Sequence, residues 1–138
     1  MHKEGIAVLG ALSIAVGLAG PLVAAGTVSL DLSDFNDDVM RDMDDTMKTL
    51  DSDIATRDVK SVARSSASIG EGLKYAQDYF TKKGNVEDAL RWARQGQDLA
   101  AAVGTAAQAN DFDRALSKYD SLVKTCRACH DVYKPPDI

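Results

Sequence analysis

The stretch Cys126-Arg127-Ala128-Cys129-His130-Asp131-Val132-Tyr133-Lys134, close to the end of the 138-residue chain, decides how the rest is read. It holds both cysteines of the sequence and one of its two histidines. C-x-x-C-H is the spacing at which haem c is attached. Each thiol can add across one haem vinyl group, and the residues between them form a short turn. The adjacent histidine then reaches the iron as an axial ligand. Cys126, Cys129 and His130 are therefore the expected cofactor-binding residues, with His130 as metal ligand and one haem c per chain. Two other chemistries compete. A C-x-x-C pair can be a redox dithiol, which needs a lowered thiol pKa and belongs near a strand–helix unit, and no strand is evident. It can also be half of a zinc site, but zinc normally takes four ligands, and the sequence has no second cysteine pair.

Upstream of the motif, Phe112, Ala115, Leu116, Tyr119, Leu122, Val123 and Cys126 recur at three- and four-residue steps, the period of a helix with one buried face. Carried forward, this phase puts the motif inside a helix that opens at Asn110 or Asp111. Pro135 and Pro136 stop it just beyond Tyr133. Three earlier segments have the same character. The first is expected from Ser33 or Asp34 to about Ala55. Val39, Met43, Met47, Leu50 and Ile54 face inward, and Asp34, Asp37 and Asp38 lie near the open amides of its first turn. The second runs from Asp58 to about Phe80 along Val59, Val62, Ala63, Ser66, Ile69, Leu73 and Ala76. Gly70 and Gly72 weaken its propensity or permit close approach of a neighbour or of the haem. Lys82, Lys83 and Gly84 make its stop. The third opens at Asn85, with Asp88 completing a capping box, and buries Val86, Ala89, Leu90, Ala93, Leu99, Ala100 and Val103. Trp92 on this segment either shields a haem edge or is a packing residue. Four long segments with short turns give the expected fold class: all-α, an antiparallel four-helix bundle running up-down-up-down, with haem near the C-terminus.

At the other end of the chain, Ile6 to Ala19 is almost wholly apolar, Lys3 precedes it, and Val23, Ala24 and Ala25 supply small residues. These are the parts of a secretory signal over residues 1–25, with cleavage before Gly26. The stretch is short for a full span and Pro21 interrupts its end, although an uncleaved anchor is the alternative. Residues 26–138 are then expected to form one domain with a modest core, exported to the periplasm. The net charge is −5, and losing Lys3 and Glu4 leaves it unchanged. From Asp31 to Asp58, ten aspartates stand against Arg41, Lys48 and Arg57, a net of −7. Nucleic-acid binding, which needs a basic patch, is not expected. The acidic run is a solvated helix face or a steering surface for a basic redox partner.

From Cys126 to Lys134 the sequence resembles the C-terminal signature of cytochrome c prime and the related class II cytochromes c, including cytochrome c-556. The similarity in length and layout extends over Asp31 to Lys134, and it is motif-specific only at the end. The resemblance implies an exported four-helix bundle in which Cys126 and Cys129 are thioether residues and His130 is the proximal ligand. Tyr133 falls at an aromatic position and Lys134 at a basic position beside the proximal haem face. It also implies a distal residue on the first helix. Members similar to cytochrome c-556 place a methionine there, whereas the cytochromes c prime leave the iron open behind an apolar residue. Met40, Met43 and Met47 are in phase on that helix, and alignment by the helix end puts Met43 nearest the distal position. Methionine stripes also simply fill cores. Arg41 resembles a first-helix arginine near a haem propionate, and Lys134 either hydrogen-bonds a propionate or occupies the solvated end of its helix. The step from Arg41 to Met43 is shorter than the family's usual one, which leaves open either the ligand role of Met43 or the propionate role of Arg41. An exposed surface position is an equal reading for the arginine. The expected function is a monohaem electron carrier between redox proteins, needing no catalytic acid, base or nucleophile. The alternatives are a five-coordinate protein binding nitric oxide or carbon monoxide, and a haem-bearing subunit of a larger redox complex. The polar first two helices favour a monomer or weak homodimer.

Overall fold

A computed structural model describes residues 30–133. The expected signal segment, residues 1–25, and Lys134 lie outside the described residues. The described residues hold four α-helices: α1 (Asp37–Ala55), α2 (Val59–Lys83), α3 (Glu87–Gln108) and α4 (Phe112–Tyr133). No strand occurs among the described residues, and none of the described helices is long and apolar enough to cross a membrane. The four helices form a bundle.

Their boundaries follow from local chemistry. Asn36 caps α1, its side chain accepting from the Asp38 amide. The expected start at Ser33 or Asp34 is therefore displaced, because Asp34 is engaged elsewhere: Tyr79 Oη and Lys83 Nζ both donate to Asp34 Oδ1, each at 2.6 Å. Asp58 caps α2 through the Ser61 amide, and the helix runs one turn past Phe80 to Lys83. Gly84 ends it in the left-handed region, φ 68°, where glycine has no steric cost. The cap expected at Asn85 does not form. Asn85 is itself left-handed, φ 54°, and Val86 occupies the N-cap without a side-chain bond. Nor does Asp88 close a capping box, because its carboxylate accepts from the Tyr133 hydroxyl and the Ala89 amide. Asp111 opens α4 through the Arg114 amide, 3.0 Å.

The interior is divided. One apolar cluster gathers Leu50 and Ile54 of α1, Val62, Ile69 and Leu73 of α2, Ala100 and Val103 of α3, and Phe112, Ala115 and Leu122 of α4. Leu50, Val62, Val103 and Leu122 are wholly buried, and each such side chain stabilises the fold by about 1.5–3 kcal/mol. Leu116, expected to face inward, is exposed. Alanines and glycines on α3 allow close helix approach. A Cβ at Gly96 would stand 2.9 Å from Leu73 Cδ1. The second cluster is smaller: Phe80, Val86 and Ala89, packed with Leu30, Leu32, Tyr79, Leu90 and Tyr133. Packing is closest between α2 and α3 and between α3 and α4, and sparse between α1 and α4. Where α1 and α4 touch least, Cys129 and His130 of α4 face Met40 and Arg41 of α1 across a cavity, and Cys126 packs against the larger cluster.

Candidate functional site

α4 carries Cys126, Cys129 and His130 in continuous helix, so Cys126 and Cys129 share a face one turn apart. Cys129 and His130 border a cavity of about 390 Å³ with Leu32, Phe35, Met40, Phe80 and Tyr133. This is within the roughly 300–1,000 Å³ span of small-molecule and cofactor pockets. A smaller void of about 40 Å³ adjoins it deeper in the bundle. There Cys126 joins Cys129, His130 and Met40, with Leu73, Ala76, Phe80, Ala89, Trp92 and Ala93 around them. Small alanines on α2 and α3 leave this space, and larger apolar groups shape its edges. The outer rim is charged: Asp37, Arg41, Asp44 and Asp45 of α1 line it.

Both thiols are free and half-buried. Burial raises the pKa of Cys126, and burial together with Cys126 and Asp88 pushes the Cys129 thiol up to about 11. A redox dithiol needs the opposite shift to supply a thiolate at neutral pH. Among the described residues no group of three or more His, Cys, Asp or Glu side chains could share a metal ion. The raised thiols thus give little support to a redox dithiol. Two thiols and a histidine on the edge of an apolar, cofactor-sized space do fit haem c.

The sequence-derived residues separate at this point. His130, Cys126 and Cys129 come together on the cavity wall. Met40 lines both voids. Met43 lines neither: a Cβ at Gly72 would come within 2.4 Å of its Sδ, so its thioether occupies the space that glycine leaves on α2. Met47 packs against the larger core cluster. Arg41 reaches the rim and donates to Asp38 Oδ1 at 2.5 Å, with both side chains largely exposed. Trp92 borders the inner void, its ring 6.4 Å from that of Tyr133.

Three features escaped sequence reading. Residues 30–36 form a strap whose Leu32 and Phe35 wall the cavity. Lys83 fastens it by donating to the Asp31 carbonyl and the Asp34 carboxylate. Tyr133 also lines the cavity and donates to Asp88 of α3 at 2.5 Å, which ties the last turn of α4 to the first turn of α3. The strap has no periodic signal, and neither long-range bond has a sequence signature. No family model, curated protein or solved structure matches this chain.

Proposed function

We propose that the chain is an exported monohaem c-type cytochrome, similar to the class II cytochromes c, which carries single electrons between redox proteins. The observation that supports this best is the meeting of Cys126, Cys129 and His130 on the edge of an apolar cavity that interrupts the bundle. Cys126 and Cys129 would hold the cofactor as thioethers and His130 would ligate its iron. Met40, which borders the cavity where Met43 does not, becomes the first candidate to hold the iron together with His130. Arg41 and Lys134 are candidates for the propionates. Haem bound there supplies a one-electron ferric–ferrous couple.

The chain's own residues define what surrounds that couple. Phe80, Leu73, Ala76, Ala89 and Ala93 exclude water from the inner void, and Leu32 and Phe35 cover one side of the larger one. A methionine partner to His130 favours the reduced iron. Asp37, Asp44 and Asp45 at the rim suit a basic redox protein met briefly in a weak encounter. The connections Thr56–Asp58, Gly84–Val86 and Ala109–Asp111 are each three residues long, which supports an antiparallel up-down-up-down course. Export to the periplasm rests on the apolar, small-residue-terminated sequence of residues 1–25.

The placement of Met43 against Gly72 also favours a second reading. If Met40 leaves the iron open, the cavity can admit nitric oxide or carbon monoxide. Visible spectra of the ferric and ferrous protein, with and without carbon monoxide, decide between the two. The carrier reading expects low-spin spectra that carbon monoxide changes slowly or not at all. A high-spin spectrum that converts at once on adding the gas supports the second reading and sinks the first.

A further inference from the structure

We propose that Tyr133 is a redox-active tyrosine, giving an electron to an oxidised cofactor in the cavity and its phenolic proton to Asp88. This rests on the haem reading for the source of the oxidant. It does not rest on the identity of the sixth ligand or on the electron-carrier role.

The four tyrosines differ in the two properties this chemistry needs. A phenol that loses an electron becomes a strong acid, so oxidation is easy only where a base already holds the hydrogen bond. Tyr133 donates to the Asp88 carboxylate at 2.5 Å and lies on the cavity wall with Cys129 and His130. Tyr79 has a carboxylate partner too, at 2.6 Å, but Asp34 is already neutralised by Lys83 at 2.6 Å and Tyr79 is not on the cavity wall. Tyr119 donates to a backbone carbonyl, that of Met47, which is a poor base. Tyr75 is partly exposed at the strap, edge-to-face with Phe35.

The resting protonation is the one required. The hydrogen bond from Tyr133 holds the Asp88 carboxyl below the usual carboxylate range, so it is a proton acceptor at neutral pH. Burial and the same bond push the Tyr133 phenol up to about 12, so it keeps its proton until it is oxidised. The surroundings are aromatic. The Phe80 ring lies 5.2 Å from that of Tyr133 and the Trp92 ring 6.4 Å. Half-burial shields a neutral radical from solvent.

In the step, the O–H bond of Tyr133 breaks. Its electron goes to haem that hydrogen peroxide, itself reduced to water, has oxidised by two electrons, so that Tyr133 supplies one of the two and a solvent reductant the other. Its proton goes to Asp88 Oδ1, and a neutral phenoxyl radical remains. A phenol- or ascorbate-class reductant from solvent returns one electron, and the proton moves back from Asp88. The pair thus drains an oxidising equivalent from the cavity through one defined residue.

The test uses the exported, haem-loaded protein mixed with hydrogen peroxide at neutral pH and freeze-quenched for electron paramagnetic resonance. Wild type is expected to give a tyrosyl signal. Tyr133→Phe should lose it, while Tyr75→Phe and Tyr79→Phe keep it. Asp88→Asn, which retains an acceptor oxygen but no base, should lower the radical yield, and Asp88→Glu should restore it. Circular dichroism of each variant checks that the helices persist. A signal that survives in Tyr133→Phe, or an undiminished yield in Asp88→Asn, overturns the proposal. Mass and optical spectrum of the same samples report attached haem separately. If none is attached, the haem reading fails. A dissolved ruthenium photo-oxidant, which needs no haem, then tests the Tyr133–Asp88 pair with the same variants and the same two overturning results.

Discussion

Met40 on α1 and His130 on α4 border the same two adjoining voids, whereas Met43, three residues further along α1, fills the space over Gly72 of α2. Two methionines that share one helix stripe thus have different surroundings.

Replacing Met40 by alanine should change the cofactor and not the fold. The ferric and ferrous spectra should turn high-spin, carbon monoxide should bind at once, and the reduction potential should fall. Met43→Ala should leave the spectra alone and lower stability by about 1–3 kcal/mol, below the range for a fully buried methionine because Met43 is only partly covered. Spectra and urea unfolding of both variants distinguish these outcomes. The reverse pattern would return the ligand role to Met43.

The two glycines of α2 should respond in opposite ways. A Cβ at Gly70 meets nothing within 4 Å. Gly70→Ala should therefore stabilise the protein by about 0.5–1 kcal/mol through helix propensity alone. At Gly72 the same Cβ would lie 2.4 Å from Met43 Sδ and 2.5 Å from its Cγ, so the thioether must move. Gly72→Ala should forfeit the propensity gain and lower the thermal midpoint relative to Gly70→Ala. Equal midpoints would mean that Met43 gives way at no cost.

Much of this is legible in the sequence. The periodic runs ending at Ile54, Phe80, Val103 and Cys126 each became a helix, because one buried stripe per segment is enough to specify a bundle. What failed were features set by long-range partners. Asp34 and Asp88 look like helix-start residues, yet Lys83 and Tyr133 claim their carboxylates from distant parts of the chain. Met40 and Met43 are both in phase on α1. Which of them reaches the cavity depends on where α2 offers a glycine, and periodicity does not report that. The cavity wall supplied by Leu32 and Phe35 comes from a non-helical strap with no pattern to read.

The strap should be pH-sensitive. Lys83 holds the Asp34 carboxyl below its ordinary value, with Tyr79 assisting, and Asp34 in turn raises the Lys83 ammonium. A depressed carboxyl contributes above its unfolded pKa, about 3.9, and is lost as pH falls through the lower folded value. A raised ammonium contributes below about 10.4 and is lost as pH rises through the higher folded value. The protection of the Phe35 amide, which is bonded to the Leu32 carbonyl, against hydrogen exchange, taken relative to an unstructured amide at the same pH, should be high between those limits and fall outside them. Lys83→Ala should lower this protection throughout. A profile that is flat across the acid limit in wild type would contradict the clamp.

Before haem is attached, the Cys129 thiol should be sluggish. With its pKa pushed up to about 11 by burial, it holds roughly a hundredfold less thiolate at pH 7 than an unperturbed thiol of the reference value 9.0. Alkylation of protein made without haem attachment should therefore be slow at pH 7, accelerate towards pH 11, and become fast in denaturant. Fast alkylation of the folded protein at pH 7 would revive the redox-dithiol reading.

The proposed function stands or falls with the covalent attachment of haem to Cys126 and Cys129. The most direct measurement is the mass of the protein recovered from the periplasm of a host equipped for haem attachment, taken under denaturing conditions. One haem retained on the wild-type chain, and none on Cys126→Ala/Cys129→Ala, is the predicted result. A wild-type chain of bare polypeptide mass, with its two cysteines as thiols or as a disulfide, would contradict it.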